Sequence, residues 1–425
     1  LEMVMESLFA VVDMFFVSQV SINAVATIGL TEAVITLVYA LAIGLSMAAT
    51  AMVSRRVGEK NFEKASLAAS QAIIIGIAIS VVTGMAGLLF PREILSLMGG
   101  EPDLIEEGYG YTRILIGCNI TIMLLFLINA IFRGAGNASI AMRSLWLANG
   151  LNMILDPIFI FGLGPIPGFG VEGAAIATTM GRGVAVIYQS YMLSSSKGKI
   201  RVTLADLRFK AEMAWRLIKI SLGGIGQFLI GTSSWMFLMR IMSEFGSEVL
   251  AGYVIAIRII MFTILPSWGM SNAAATLVGQ NLGAKQPDRA ERSVWKTAKY
   301  NMYFMVAVSI IYVAFADVFV GWFTDSEEVI RNGSLCLRII AGGYLFYAYG
   351  MVISQAFNGA GDTKTPTWIN LISFWLFQLP MAYLTALYFE WGPIGVFLAI
   401  AVSESLLAVL SIVIFRKGKW KEMEV

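Results

Sequence analysis

Val53–Ala65, VSRRVGEKNFEKA, returns without a gap 225 residues later as Val278–Ala290, VGQNLGAKQPDRA. Phe132–Asn137, FRGAGN, returns at the same offset as Phe357–Asp362, FNGAGD. Two matches at one spacing point to an internal duplication, so the topology of the first copy should repeat in the second. Between these polar marks lie apolar runs of about 20 residues, the length that crosses a bilayer as helix. Twelve are readable, near 2–18, 28–52, 66–90, 112–132, 142–163, 172–194, 214–241, 249–278, 299–323, 334–356, 367–388 and 393–415. Each copy therefore carries six crossings. An even number returns the chain to its starting side, so the copies share one orientation and are related by a pseudo-two-fold axis along the membrane normal. The expected fold is an all-α polytopic membrane protein built as two six-helix bundles. Residues 1–193 form the first lobe and 212–425 the second. The polar connection 194–211, which contains SSSKGKIRVTLADLRFK, joins them.

Composition agrees with this reading. Of 425 residues, 58% are hydrophobic and 14% charged, and mean hydropathy is +0.76, too apolar for a soluble globular chain. The net charge of +2 leaves no basic face for nucleic acid. Cys118 and Cys336 sit in apolar runs without neighbouring ligand types and read as core residues. Histidine is absent, which leaves carboxylates to carry any response to pH. Leu1 stands within an apolar run with no secretory pattern, so the chain is expected to begin inside its first crossing. Basic residues orient the crossings. Of 30 Lys and Arg, 23 fall in the loops after the second, fourth, sixth, eighth, tenth and twelfth segments, from Arg55 and Arg56 to Lys421. By the positive-inside rule both termini are cytoplasmic, in a multi-pass protein of the cell membrane.

Within this apolar frame the stretch Asn152–Pro157, NMILDP, is unusual. From Ser144 to Gly164 the only charged residue is Asp156, and a lone carboxylate at membrane depth costs about 2.5–3.5 kcal/mol on insertion scales. It either carries function or pairs with a neighbouring helix. Asn152 is one helical turn away and shares its face. Asp13, in the first segment, lies at matching depth, and Glu6 shares the Asp13 face. Two carboxylates in a low-dielectric pocket must share a proton or hold a cation. Asn152, Asn129 and Thr178 could supply further oxygens, or they could simply bond helix to helix. At the constant offset Asp156 falls on Met381 and Asn152 on Phe377, while Asp13 in VDMFF matches Trp235 in SWMFL at an offset of 222. The ionisable cluster is thus expected in the first copy alone, as suits a coupling site better than packing. Arg182, Arg258 and Glu404 are further charges in the apolar runs and are read as structural, with Glu404 pairing one of the arginines. Glu32 and Asp317 lie near segment ends and are expected in solvent. The 23 Met and 50 aromatic residues could line a pocket for flat cationic or amphipathic compounds, though most serve as core or lipid contacts.

These residues resemble the multidrug and toxic compound extrusion (MATE) transporters. The resemblance is carried by VDMFFV at Asp13, the VGEKNFEKA and LGAKQPDRA loops, the RGAGN and NGAGD turns, and NMILDPIFIFGLG followed by GVEGAAIAT. It covers the chain from the first segment to the twelfth, and it implies a V-shaped pair of bundles exporting organic compounds against inward Na⁺ or H⁺ flow. Within the family the chain is similar to the DinF-like branch, which implies a cation site, Na⁺ or H⁺, at Asp13, Asn152, Asp156 and Thr178. Asn129 and Tyr111 would be associated polar positions. Glu6 stands where that branch is expected to carry Gln. The seventh- and tenth-segment acids of other branches are replaced by Ser234 and Tyr347.

The expected function is cation-coupled multidrug efflux by alternating access. The protein is expected to act as a monomer in the lipid bilayer, with no cofactor beyond the coupling ion and no nucleic-acid partner. A lipid-linked oligosaccharide flippase of the same superfamily is the nearest alternative, but it should need a cationic cavity richer than Arg182 and Arg258. A membrane enzyme lacks His and any cysteine ligand cluster, and a passive channel lacks ring symmetry.

Overall fold

The computed structural model describes Phe16 and residues 22–195, 200–203 and 206–425. Glu6 and Asp13 lie outside the described residues. In chain order, the first part contains α1 Ile22–Gly58, α2 Phe62–Leu89, the short α3 Pro91–Leu97, α4 Pro102–Gly117, α5 Ile120–Gly134, α6 Ala138–Phe161 and α7 Val171–Ser194. A two-residue hairpin, Gly162 paired with Pro167 and Leu163 with Ile166, joins α6 to α7. The second part contains α8 Ala211–Ser243, α9 Ser247–Gly283, α10 Pro287–Gly321, α11 Glu327–Gly342, α12 Tyr344–Ala360, α13 Lys364–Asn370, α14 Leu379–Tyr383 and α15 Pro393–Arg416.

Among the described residues, nine stretches are long and apolar enough to cross a membrane. One is α4 with α5, and another is the α11–α12 pair, bent by 59°. α7 and α8 are also long, at 24 and 33 residues, but more polar. Eleven of the twelve expected crossings are therefore helices, and the first, 2–18, lies outside the described residues except for Phe16. α1 has 37 residues, roughly 55 Å at 1.5 Å per residue, so it outruns the bilayer and carries Arg55 and Arg56 beyond it. Large apolar side chains such as Val82 and Leu376 stand 71% and 67% exposed, a position that lipid favours and water does not.

The duplication is visible in the backbone. After α1, Glu59 N–H donates to Arg55 O, Lys60 N–H to Val57 O and Asn61 N–H to Arg56 O; Ala284, Lys285 and Gln286 repeat all three bonds onto Gln280, Leu282 and Asn281. Lys60 and Lys285 both adopt φ 58° to make this turn. At the other repeated mark, Asn137 N–H donates to Phe132 O and Asp362 N–H to Phe357 O, with Gly136 at φ 83° and Gly361 at φ 89°. Glycine is needed there because the left-handed region penalises any Cβ. Helix crossings repeat too. A Cβ on Gly134 would press on the Thr50 carbonyl, and one on Gly359 would strike the Ala275 carbonyl, again 225 residues on.

The chain forms two compact units, Leu1–Ile225 and Gly226–Val425. The described part of the connection and the start of α8 pack onto the first unit. Gln71, fully buried on α2, donates through Nε2 to Arg208 O at 2.7 Å and accepts at Oε1 from Lys210 N–H at 2.8 Å. One side-chain amide thus serves as a strand partner for the connection. Further along, Gly44 of α1 admits the Ser221 carbonyl and the Ile225 side chain. Placing Leu at Gly359 should prevent the α9–α12 approach, so Gly359→Leu is expected to yield no monodisperse protein on size-exclusion chromatography. Gly231→Leu, where nothing lies within reach, should elute as wild type.

Candidate functional site

The polar cluster of the first unit depends on how closely α7 lies on α6. Gly173, Ala177, Gly181 and Ala185 recur every four residues and make a ridge of small side chains along α7. A Cβ on Gly173 would strike the Phe159 carbonyl, and one on Gly181 the Ala148 carbonyl beside the Asn152 Cβ. With the backbones this near, short side chains span the gap. Asn152 Nδ2 donates to Thr178 Oγ1 at 2.9 Å and to Asp156 Oδ1 at 3.3 Å. Asp156 is 0% exposed, Asn152 2% and Thr178 8%. Pro157 follows directly inside the helix, and its missing N–H leaves the Met153 carbonyl without its helical donor. Asn152 Oδ1 is buried with no hydrogen-bond partner among the described residues. Carboxylate, amide and hydroxyl oxygens thus gather in one buried cluster. Such hard donors suit a proton or an alkali cation and are poor ligands for soft metals.

The other expected residues divide around this centre. Tyr111 is buried in the core cluster that includes Ile160, Val171 and Ala175. Asn129 is 2% exposed, but its Oδ1 accepts from Gln189 Nε2 at 2.6 Å, a bond between α5 and α7. Arg182 lies one turn beyond Thr178 on α7, and its Nη2 donates to the Tyr39 hydroxyl at 3.1 Å. Phe16 meets Phe161, at the end of α6, edge-on at 6.5 Å. In the second unit Arg258 is exposed, and Glu404 Oε2 is buried without a hydrogen-bond partner among the described residues. No ion pair joins these two. Glu32 is exposed, as expected. Asp317 is solvent-facing but bound by Arg338 at 2.7 Å.

The second unit answers the cluster with a different chemistry. Its fifth crossing loosens into π-helical turns over Leu371–Gln378 and Leu384–Tyr388, and a π turn takes up an extra residue. Before it the repeat offset is 225, as in Asn137 and Asp362. After it the loop N–H groups that reach Phe159 O and Ile160 O in the first unit reach Thr385 O and Ala386 O in the second, an offset of 226. The counterpart of Asn152 is therefore Gln378 rather than Phe377, and that of Asp156 is Ala382 rather than Met381. Gln378 Nε2 donates to Ser403 Oγ at 2.8 Å, and its Oε1 accepts from Ser234 Oγ at 3.0 Å. Amide-to-hydroxyl bonding between fifth and sixth crossings is thus common to both units. Ser403 lies eleven residues past Gly392, whereas Thr178 lies eight past Gly170. The carboxylate has no counterpart, since Ala382 is fully buried and apolar. Gln378, Ser403 and Gln189 were missed in the sequence, the first two because a constant offset hides a one-residue insertion.

The MatE family model matches residues 1–158 and again 225–384, one copy for each half of the duplication. This chain belongs to the MatE family. It is accordingly a multi-pass membrane transporter of twelve-helix fold and not an enzyme. Among relatives, it is 27% identical to the probable multidrug resistance protein NorM of Thermotoga maritima, across 100% of this chain and 91% of that one. It is 24% identical to an FAD transporter of Shewanella oneidensis, across 94% and 88%. Among solved structures, an outward-facing multidrug resistance MATE family transporter superposes with TM-score 0.92 at 26% identity, over 99% of this chain and 94% of the other. The second-unit amide, bonded at both ends by Ser234 and Ser403, ties three crossings together. Gln378→Leu would remove two buried amide–hydroxyl bonds and leave Ser403 and Ser234 only their backbone acceptors, Ile400 O and Phe374 O, a loss of about 1–3 kcal/mol. A lowered thermal-unfolding midpoint of the purified protein is the expected result.

Proposed function

We propose that the chain exports organic cationic or amphipathic compounds by alternating access, driven by inward movement of H⁺ or Na⁺ through a site formed by Asp13, Asp156, Asn152 and Thr178. The carrying observation is the one-sided cluster, in which Asp156 and the unsatisfied Asn152 Oδ1 are buried together while the repeat holds Ala382 at the acid's place. A carboxylate that served packing alone would be expected in both units.

Two observations support Asp13 as the partner from the first crossing. Phe16, three residues later, packs on Phe161, five residues after Asp156. In the second unit the first crossing also delivers a polar side chain to the amide, Ser234 to Gln378, and Ser234 stands next to Trp235, which aligns with Asp13. With both acids charged the site would repel itself, so it takes up a proton, or holds Na⁺ with the amide and hydroxyl oxygens. Tyr111 and Asn129 support the α4, α5 and α7 framework around the site, and Glu6 would be a further acid on the Asp13 face.

Coupling requires the ion and the exported compound to favour different states, because a ligand of equal affinity for both shifts nothing. Ion loading in the outward-facing state therefore weakens compound binding and changes the packing of the first crossing. Both termini are assigned to the cytoplasm from the basic loops. The names of the NorM relative and the outward-facing neighbour support the multidrug reading. In proteoliposomes with imposed Na⁺ or pH gradients, Asp13→Asn and Asp156→Asn should each lose gradient-driven efflux of a fluorescent cationic dye. Normal gradient-dependent efflux in both variants would overturn the proposal.

A further inference from the structure

In both units the chain folds back after the sixth crossing and donates to the same carbonyl. In the second unit it turns at Gly418 (φ 75°) into the short turn Lys419–Glu422. Trp420 is 1% exposed there. Its ring stacks on Phe415 at 4.6 Å and 9°, and its Nε1 donates to Phe415 O at 3.0 Å. Phe415 in turn meets Phe357 edge-on at 5.8 Å, and Val425 packs against Gly361. Lys421 Nζ holds the turn in place through Glu291 at 2.6 Å and Asp288 at 3.4 Å.

In the first unit the carbonyl that corresponds to Phe415 O is Leu193 O, each lying 23 residues beyond its paired glycine, Gly392 or Gly170. Leu193 O accepts from Val202 N–H at 3.1 Å, and Ile200 and Val202 are buried against the unit. The two returns reach corresponding carbonyls, but among the described residues no ring takes the place of Trp420. A cavity of about 510 Å³ is left instead, lined among others by Phe132, Ala135, Gly136, Ile140, Tyr191 and Met192. Phe132, Ala135 and Gly136 are the repeat counterparts of Phe357, Ala360 and Gly361, which lie beside Phe415, Trp420 and Val425 in the second unit.

We propose that this groove is a binding site for a small, flat aromatic molecule of indole size. The second unit displays the chemistry of the occupant: a ring stacked among aromatic and aliphatic walls, with one N–H donated at the rim. The described lining offers Phe132 and Tyr191 as ring faces and Asn137 and Ser195 as polar rim groups, which suit a flat ring with one polar edge. The site is separate from the acid cluster, since Ile140 precedes Asp156 by sixteen residues on α6, about 24 Å along the axis, and it does not depend on the efflux reading.

The test uses the purified full chain in lipid nanodiscs, with 5-fluoroindole as probe and ¹⁹F relaxation as readout. Saturable binding is expected in wild type and in Asp156→Asn. It should vanish in Ile200→Trp, which supplies the missing ring, and in Ala135→Leu, each first checked for a wild-type elution profile. Photolabelling of wild-type protein by an azidoindole, mapped by peptide mass spectrometry, should place adducts within 131–140 and 191–195 and requires no variant. Linear, non-saturating partition, binding that persists in the filled variants, or adducts confined to other segments would each overturn the proposal.

Discussion

The candidate site of the first unit depends on burying the Asp156 carboxylate within a membrane helix. Such a charge is tolerated only where neighbouring groups answer it. Here the answer comes from the Asn152 amide and, through it, the Thr178 hydroxyl. That reach is possible because α7 presents glycine and alanine to α6 at every turn, so the backbones nearly touch. The small-residue ridge is therefore as much a part of the site as the polar groups are. A larger side chain at Gly181 would separate the helices at the level of Asn152 and leave the amide short of its partner.

The duplicated architecture supplies an internal control for this reading. Both units keep the same turn hydrogen bonds at Lys60 and Lys285 and the same close crossings at Gly134 and Gly359. Both also bridge the fifth and sixth crossings with a side-chain amide. What differs is the charge. Where the first unit carries Asp156 the second carries Ala382, and the second-unit amide is satisfied on both sides by Ser234 and Ser403. A fully satisfied network rigidifies a core, whereas an open amide oxygen beside a carboxylate invites a mobile ligand. Selection for stability alone would favour the first arrangement in both places.

Much of this was legible before any coordinates. Hydropathy located the crossings, and the two repeated marks gave the duplication. The one charge between Ser144 and Gly164 pointed to the candidate site, and the helical spacing to Asn152 matches the hydrogen bond between them. Other features were hidden for physical reasons. An inserted residue absorbed by π-helical turns leaves hydropathy unchanged but slips the register, so Phe377 and Met381 were paired where Gln378 and Ala382 belong. Asn129 carries the right chemistry but faces Gln189, because the choice between partners depends on helix rotation. The docking of the connection on Gln71 is a tertiary contact with no local signal. Arg258 showed the limits of counting charges in apolar runs, since an exposed side chain there needs no ion pair.

The central claim is that an ion bound at Asp156 and an exported compound are linked through one conformational equilibrium. Linkage is reciprocal, so a compound gradient must be able to move the ion. The most direct measurement is counter-transport in proteoliposomes that hold no initial ion gradient. An organic cation is placed on one side, and Na⁺ and H⁺ fluxes are followed with ²²Na⁺ and a trapped pH dye. Opposed flux of one ion in wild-type protein, absent in Asp156→Asn, is the predicted result. Movement of the organic cation with no accompanying ion flux in wild-type protein would contradict the account.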